Sequence, residues 1–170
     1  MPATQPSTTA QDTAREPRND ILQMLMAEHR EVKAMFQQYQ KLADAAADGD
    51  ERMLLASQIC VALALHTQIE EEILYPAARD TLTQDEDMVD EAYVEHAGAK
   101  NLIAQIKTMT SDQPLYDAKV KVLGEYIDHH VREEESEFFP KLRKTGLDLE
   151  AMGERMVERK KSLMAQPEPS

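Results

Sequence analysis

The chain has 170 residues, 42% of them hydrophobic and 30% charged, with a formal net charge of -13 at pH 7. That length fits one domain with a real core. The charge argues against nucleic acid and against an anionic membrane surface, because both need a basic patch and none is visible. With 5 Gly, no Trp and long stretches of Ala, Leu, Met, Glu, Lys and Gln, the composition favours helix nearly throughout. The single cysteine, Cys60, permits neither an internal disulfide nor a thiolate zinc knuckle, and beside Ile59 and Val61 it reads as a small buried thiol. The first residues lack a basic start followed by an apolar run, and no window approaches a membrane span, so a cytoplasmic location is expected.

Residues 1–18, with Pro2, Pro6 and Pro17 among Ser, Thr and Gln, read as a flexible tail. Asn19 or Asp20 can cap a first helix whose inward seam runs Leu22, Leu25, His29, Val32, Phe36, Tyr39. Asp48-Gly49-Asp50 ends it. A second helix from Glu51 to Arg79 carries Leu55, Ile59, Ala62, His66, Ile69 and Ile73 in its seam. Thr83 or Asp85 can cap a third, with Val89, Ala92, His96, Ala99, Ile103 and Ile106, before the turn Ser111-Asp112-Gln113-Pro114. The fourth, Leu115 to Thr145, presents Tyr116, Val120, Leu123, Ile127, His130 and Glu134, with Gly146 as its stop. Pro76 and Pro140 fall near helix ends, where a lost hydrogen bond matters least.

Long helices joined by short turns predict an all-α, up-down-up-down antiparallel four-helix bundle over residues 19–146. A short additional C-terminal helix follows over 147–165. Its apolar stripe, Leu149, Met152, Met156 and Leu163, can cap one end of the bundle or make a homodimer contact. Residues 166–170 read as a frayed end.

The chain also repeats itself. HTQIEEEILYP, His66 to Pro76, is echoed by HVREEESEFFP, His130 to Pro140, and each copy is preceded by EHxxxK at Glu28-His29-Lys33 and Glu95-His96-Lys100. Counting from the turns at about 1.5 Å per residue puts all four seam histidines within about one helical turn of the same height. Glu70 and Glu134 follow His66 and His130 one turn along on the same faces. A lone seam histidine is ordinarily a hydrogen-bonded core residue, and runs of Glu are ordinarily solvated. Four histidines and two carboxylates buried in one layer with nothing to satisfy them is a costly arrangement, and a metal ion resolves it. Glu71 and Glu72 read as solvated. His129, about 100° off the inward face, is set apart from His130, while Tyr93 and Tyr126 stand as boundary aromatics able to support the site.

Imidazoles and carboxylates without a thiolate suit iron, manganese or zinc. Two central carboxylates can bridge a pair of cations, leaving positions open to small molecules. The ordered set His29, His66 with Glu70, His96, His130 with Glu134, and the LYP and FFP endings, resemble the hemerythrin-like, HHE cation-binding family over about residues 20–145. The resemblance implies a four-helix bundle with two non-haem iron ions, oxo- or hydroxo-bridged. His29 and His66 would hold one iron, His96 and His130 the other, with Glu70 and Glu134 bridging. It further implies that the protein binds or senses oxygen, handles nitric oxide or peroxide, or handles iron. In the family's oxygen carriers two histidines stand four apart on the third helix. Here Lys100 follows His96 and Ala92 precedes it at that spacing, which turns the expectation from oxygen carriage toward a reactive or sensing centre.

Overall fold

The computed structural model describes residues 20–165. Among them the chain forms five helices and no strand. These are α1 (Ile21–Asp44), α2 (Gly49–Thr81), α3 (Glu86–Lys107), α4 (116–142) and α5 (Leu149–Met164). The tails expected at 1–18 and 166–170 lie outside the described residues, as does Asn19.

The caps explain where the helices begin. Asp20 accepts the Gln23 N–H at 2.8 Å, and the Gln23 side chain accepts the Asp20 N–H at 3.3 Å, a reciprocal capping box. Helix α2 starts at Gly49, ahead of the expected Glu51, because Asp48 caps it by accepting the Asp50 N–H at 2.8 Å. Asp85 occupies the N-cap of α3 without a side-chain cap bond; its carboxylate instead receives Lys141 of α4 at 2.5 Å. Leu115, at the N-cap of α4, has φ 72° while its side chain is largely exposed. That left-handed backbone disfavours a residue with a Cβ by about 1–2 kcal/mol. Leu115→Gly is therefore expected to raise the denaturant midpoint, by about 1 kcal/mol of stability once the extra chain entropy of Gly is subtracted.

Helices α2 and α4 were expected to be α-helical to their ends. Each instead contains one π-helical turn, Glu70–Leu74 and Glu134–Phe138. The Tyr75 N–H reaches back five residues to the Glu70 carbonyl, and the Phe139 N–H to that of Glu134. Pro76 and Pro140 follow at the first positions of the resumed α-helix, where a missing N–H leaves nothing unpaired. Helix α4 ends at Leu142, short of the expected Thr145.

Helix α1 packs against α2 and α4, and α3 against the same two. Ties in descending register show neighbours running in opposite directions. Lys33–Asp128 at 2.9 Å and Tyr39–Asp117 at 2.6 Å join α1 to α4, while Arg79–Asp90 and Lys100–Glu71, both 2.6 Å, join α2 to α3. Helix α5 lies on α1 and α2, with Arg159 on Glu72 and Lys160 on Glu28. Its Met152 and Met156 are buried within the chain.

The core is divided in two. One apolar cluster gathers Ile21, Leu22, Leu25, Ile73, Leu74, Phe138 and Met156, and another gathers Val32, Leu55, Ile59, Leu63, Ile103, Val120 and Leu123. Cys60 is buried in the second. Between them lie the buried polar residues His29, His66, Glu70, His96, His130 and Glu134. The expectation that no stretch approaches a membrane span needs correcting. Within Gly49–Thr81 a window is long and apolar enough by composition, and half of it is buried inside the molecule. The apolar side chains of α2 supply both halves of the core, which is why its composition passes that test.

Candidate metal centre

The layer is built from two facing pairs of imidazoles. His29 Nε2 and His66 Nε2 are 3.0 Å apart, and His96 Nε2 and His130 Nε2 are 3.1 Å apart. Both pairs meet edge-on, with ring centroids at 4.8 Å. Each glutamate spans the two pairs. Glu70 places Oε1 3.3 Å from His66 and Oε2 3.3 Å from His96, while Glu134 Oε2 stands 3.5 Å from His29 and 3.6 Å from His130. Glu70 Oε1 and Glu134 Oε2 are buried without a hydrogen-bond partner. The layer therefore offers four imidazole nitrogens and two spanning carboxylates, with ligand atoms clustered within 4.8 Å around each pair.

The inward direction of the four Nε2 atoms is set by a ring of outer carboxylates. His29 Nδ1 bonds Glu135 at 2.9 Å, His66 Nδ1 bonds Glu28 at 2.9 Å, His96 Nδ1 bonds Glu71 at 3.0 Å, and His130 Nδ1 bonds Glu95 at 2.6 Å. A carboxylate can only accept, so each Nδ1 carries a proton and each Nε2 is turned into the layer, where a metal ion would meet it. The ring corrects the reading of Glu71 as a solvated residue: it holds His96 and is itself gripped by Lys100 at 2.6 Å. Glu72 faces outward, bonded to Arg159 at 2.6 Å. Lys100 thus points away from the imidazoles, as expected. Among the glutamates of this ring, Glu28 and Glu95 stand in the EH repeats; the sequence displayed them without revealing which helix each would support.

Tyr75 is the residue that sequence reasoning missed. Its hydroxyl donates to Glu134 Oε1 at 2.9 Å and lies 3.1 Å from His96 Nε2, with the ring wholly buried. Counted at about 100° per residue, nine residues from His66, it falls on the opposite face. The extra residue held in the π turn removes about one residue of that rotation and swings Tyr75 inward. Its counterpart in the second copy, Phe139, stacks on His29 at 5.9 Å and 11°. The phenol therefore marks only the His96–His130 half. Tyr93 donates to the Glu71 backbone carbonyl at 3.4 Å, supporting the same turn. Tyr126 is a boundary residue whose hydroxyl would stand 2.7 Å from a Cβ at Gly98. His129 points outward, with its side chain 56% exposed.

Charge in the layer is balanced by protons when no cation is present. Burial pulls the His66 imidazole down, but Glu70 and Glu28 outweigh it and raise its pKa to about 10. His130 is raised to about 9 in the same way, against burial, by Glu134 and Glu95. Burial and the neighbouring Glu70 charge push Glu134 up to about 8, while the surrounding imidazoles hold Glu70 well below the usual carboxylate range despite burial. Burial and the nearby His66 lower His29 to about 4. At pH 7 His66 and His130 therefore hold protons that a metal ion must displace. Metal uptake in weak buffer is expected to acidify the solution, and affinity to tighten as the pH rises from 7 to 9. The metal-free fold follows the opposite sign. Stability from His66 and His130 is fully present below about pH 6.5 and is lost as the pH climbs through 9 and 10. Dye-monitored proton release and pH-dependent unfolding of the apoprotein check both.

An all-helical protein with buried His and Glu clusters of this kind is a cation-binding domain. The model of the Hemerythrin HHE cation binding domain matches residues 20–142, and the chain belongs to that family. Its relatives include a DNA nickase from Nostoc sp., 29% identical over 124 residues that make up 73% of this chain and 34% of the nickase. This chain thus spans about a third of that protein's length. The uncharacterized protein Rv2633c of Mycobacterium tuberculosis is 24% identical over 130 residues, 75% of this chain and 78% of its own. A crystal structure of an HHE cation binding domain-containing protein from Mycobacterium kansasii, a homolog of Rv2633c, superposes with TM-score 0.69 at 21% identity. That match covers 85% of this chain and 86% of the other, and shows a shared fold.

Proposed function

We propose that this chain is a non-haem di-iron protein that binds or reacts with small oxidants: oxygen, peroxide or nitric oxide. Its first four helices act as an up-down-up-down bundle over 19–146, with α5 appended over 147–165. One observation carries the reading: Glu70 and Glu134 each reach both imidazole pairs and each keep a buried oxygen that no protein group satisfies. Buried carboxylate oxygens are rarely left so, and a pair of cations would satisfy both.

In this reading His29 and His66 would hold one iron and His96 and His130 the other, with Glu70 and Glu134 available to both. When bound, an iron pair would supply electrons and open coordination positions for an oxidant. The protein supplies the rest. Glu135, Glu28, Glu71 and Glu95 hold the imidazoles in one tautomer, and the apolar clusters on either side keep bulk water from the layer. Tyr75 holds a proton on its hydroxyl, because burial and the charges of Glu134 and Glu70 raise its pKa well above 10. That proton stands on one half of an otherwise symmetric site. The asymmetry favours a second reading within the same class, a peroxide-decomposing, catalase-like enzyme, for which a one-sided proton donor is useful. Iron storage or delivery is disfavoured, since a layer enclosed by four imidazoles and two apolar clusters suits a retained metal.

The nickase shares only this domain's length, and a chain of net charge -13 is proposed to have no nucleic-acid partner of its own. A cytoplasmic location is proposed as well, the apolar window within Gly49–Thr81 being half buried in the fold. A homodimer through α5 would use Val157 and Met164, which are exposed, since Met152 and Met156 already serve the chain's own core.

Metal analysis of the purified protein is expected to find about two irons per chain, as in other bundle carboxylate centres. A protein holding only zinc, or no metal, would sink the reading. After reduction, oxygen and then peroxide are added. A stable, reversible oxygen adduct points to binding, whereas many turnovers of peroxide with oxygen release point to catalysis.

A further inference from the structure

We propose that His129, Glu133 and Glu95 form an outer site for a divalent first-row cation on the α3–α4 face, and that this site loads the core. The inference rests on the metal-centre reading above and adds the route by which metal arrives. His129 and Glu133 are one turn apart on α4, with Nε2 3.3 Å from Glu133 Oε1. Glu95 reaches across from α3 to put Oε1 3.6 Å from the same nitrogen. These ligand atoms lie within 4.8 Å of one another. One imidazole and two carboxylates, open to solvent on one side, are a donor set for a cation that keeps part of its water shell.

The internal duplication shows what is particular to this face. Aligning the copies on Pro76 and Pro140 sets Leu65 and Ile69 of the first half against His129 and Glu133 of the second. Glu28 and Glu95 are counterparts as well, each giving one oxygen to a core imidazole. The other oxygen of Glu28 receives Lys160 from α5, so a fixed ammonium and a covering helix close that half. The other oxygen of Glu95 faces His129, whose side chain is 56% exposed. One copy seals the position; the other offers it to a cation.

A cleft of about 100 Å³ is bordered by Glu95 and Glu133 of this triad and reaches the core layer. Glu91, Glu95, Glu133 and Glu137 line it beside the apolar Met88, Ala92 and Phe138, together with His130 and Glu134 of the core layer. Glu134 is buried, and its Oε2 has no hydrogen-bond partner. Four carboxylates around such a cleft concentrate cations beside Glu134, one of the two core residues with an unsatisfied oxygen. The larger hollow between α1 and α4, about 320 Å³, also touches His29, but Lys33 and Lys121 balance its carboxylates Glu125 and Asp128, so it lacks the net negative charge that draws a cation into the smaller cleft.

The test uses the full chain stripped of metal, with His129→Ala and Glu133→Gln as variants. Manganese(II) titration followed by electron paramagnetic resonance counts the bound ions, and anaerobic stopped-flow mixing with ferrous iron follows uptake. Each variant is expected to lose one weakly bound manganese per chain and to take up iron about tenfold more slowly, the lower end of electrostatic steering effects. Both should reach the wild-type iron content at equilibrium. Unchanged manganese counts and uptake rates in both variants would overturn the proposal. So would a lower final iron content in His129→Ala, which would make His129 part of the core. A wild-type protein that holds no core iron would refute the metal-centre reading instead, and the manganese count would still decide the outer site.

Discussion

Glu70→Ala is expected to abolish metal retention and to weaken the metal-free fold by about 3–5 kcal/mol, the range for removing one member of a buried ion pair. Glu70 is wholly buried, and its two oxygens serve both halves of the layer, one at His66 and one at His96. Removing it takes away the principal charge that keeps His66 protonated at neutral pH. That imidazole must then lose its proton or remain charged without its partner, and either path raises the energy of the folded state. Glu72→Ala, two residues on, removes an outward ion pair with Arg159 and should change stability by less than about 1 kcal/mol. Metal analysis and urea unfolding of the two variants give the comparison. Wild-type metal content in Glu70→Ala would rule out a spanning role for this carboxylate.

Met156→Ala is expected to lower stability by about 2–5 kcal/mol, the cost of emptying a closed apolar site. Met156 is fully buried in the cluster of Ile21, Leu22, Leu25 and Leu74, although it belongs to a helix outside the four that carry the imidazoles. A loss of that size would make α5 part of the fold rather than an appendage. A change under about 0.5 kcal/mol, the range for surface positions, would mean that the helix detaches freely. Because Lys160 on the same helix contacts Glu28, which in turn holds His66, loosening α5 should also weaken metal affinity.

How much of this was legible in the sequence depended on what kind of contact was being read. Seam positions follow from a period of 3.6 residues, so Leu22, Leu25, His29, Val32 and Tyr39 are buried on α1 and His96 sits amid Ala92 and Ala99 on α3. Phe36 and Ala62 are only partly buried, at the edges of their seams. The common height of the four histidines could be counted from the turns, since rise per residue is nearly constant. What could not be counted was a change of period. The π turns depend on a five-residue hydrogen bond that packing selects, and only the prolines that follow them hinted at an irregularity; Tyr75 was hidden for that reason. The outer glutamates were unreadable for another reason. In Glu70-Glu71-Glu72 successive side chains point about 100° apart, and which one meets a neighbouring helix depends on the rotation of both. One enters the layer, one supports His96 and one meets α5.

The outer carboxylates also impose a wiring on the two halves. Each helix steadies the imidazole of the helix that follows it, α1 for α2, α2 for α3, α3 for α4, and α4 again for α1. Two of these four links pass between the duplicated hairpins, so neither hairpin can orient its own donors alone. Turning any one helix about its axis moves its own ring and tugs the ring it steadies. The four links close into one circuit, so every imidazole donor of the layer is held by a carboxylate from a helix other than its own.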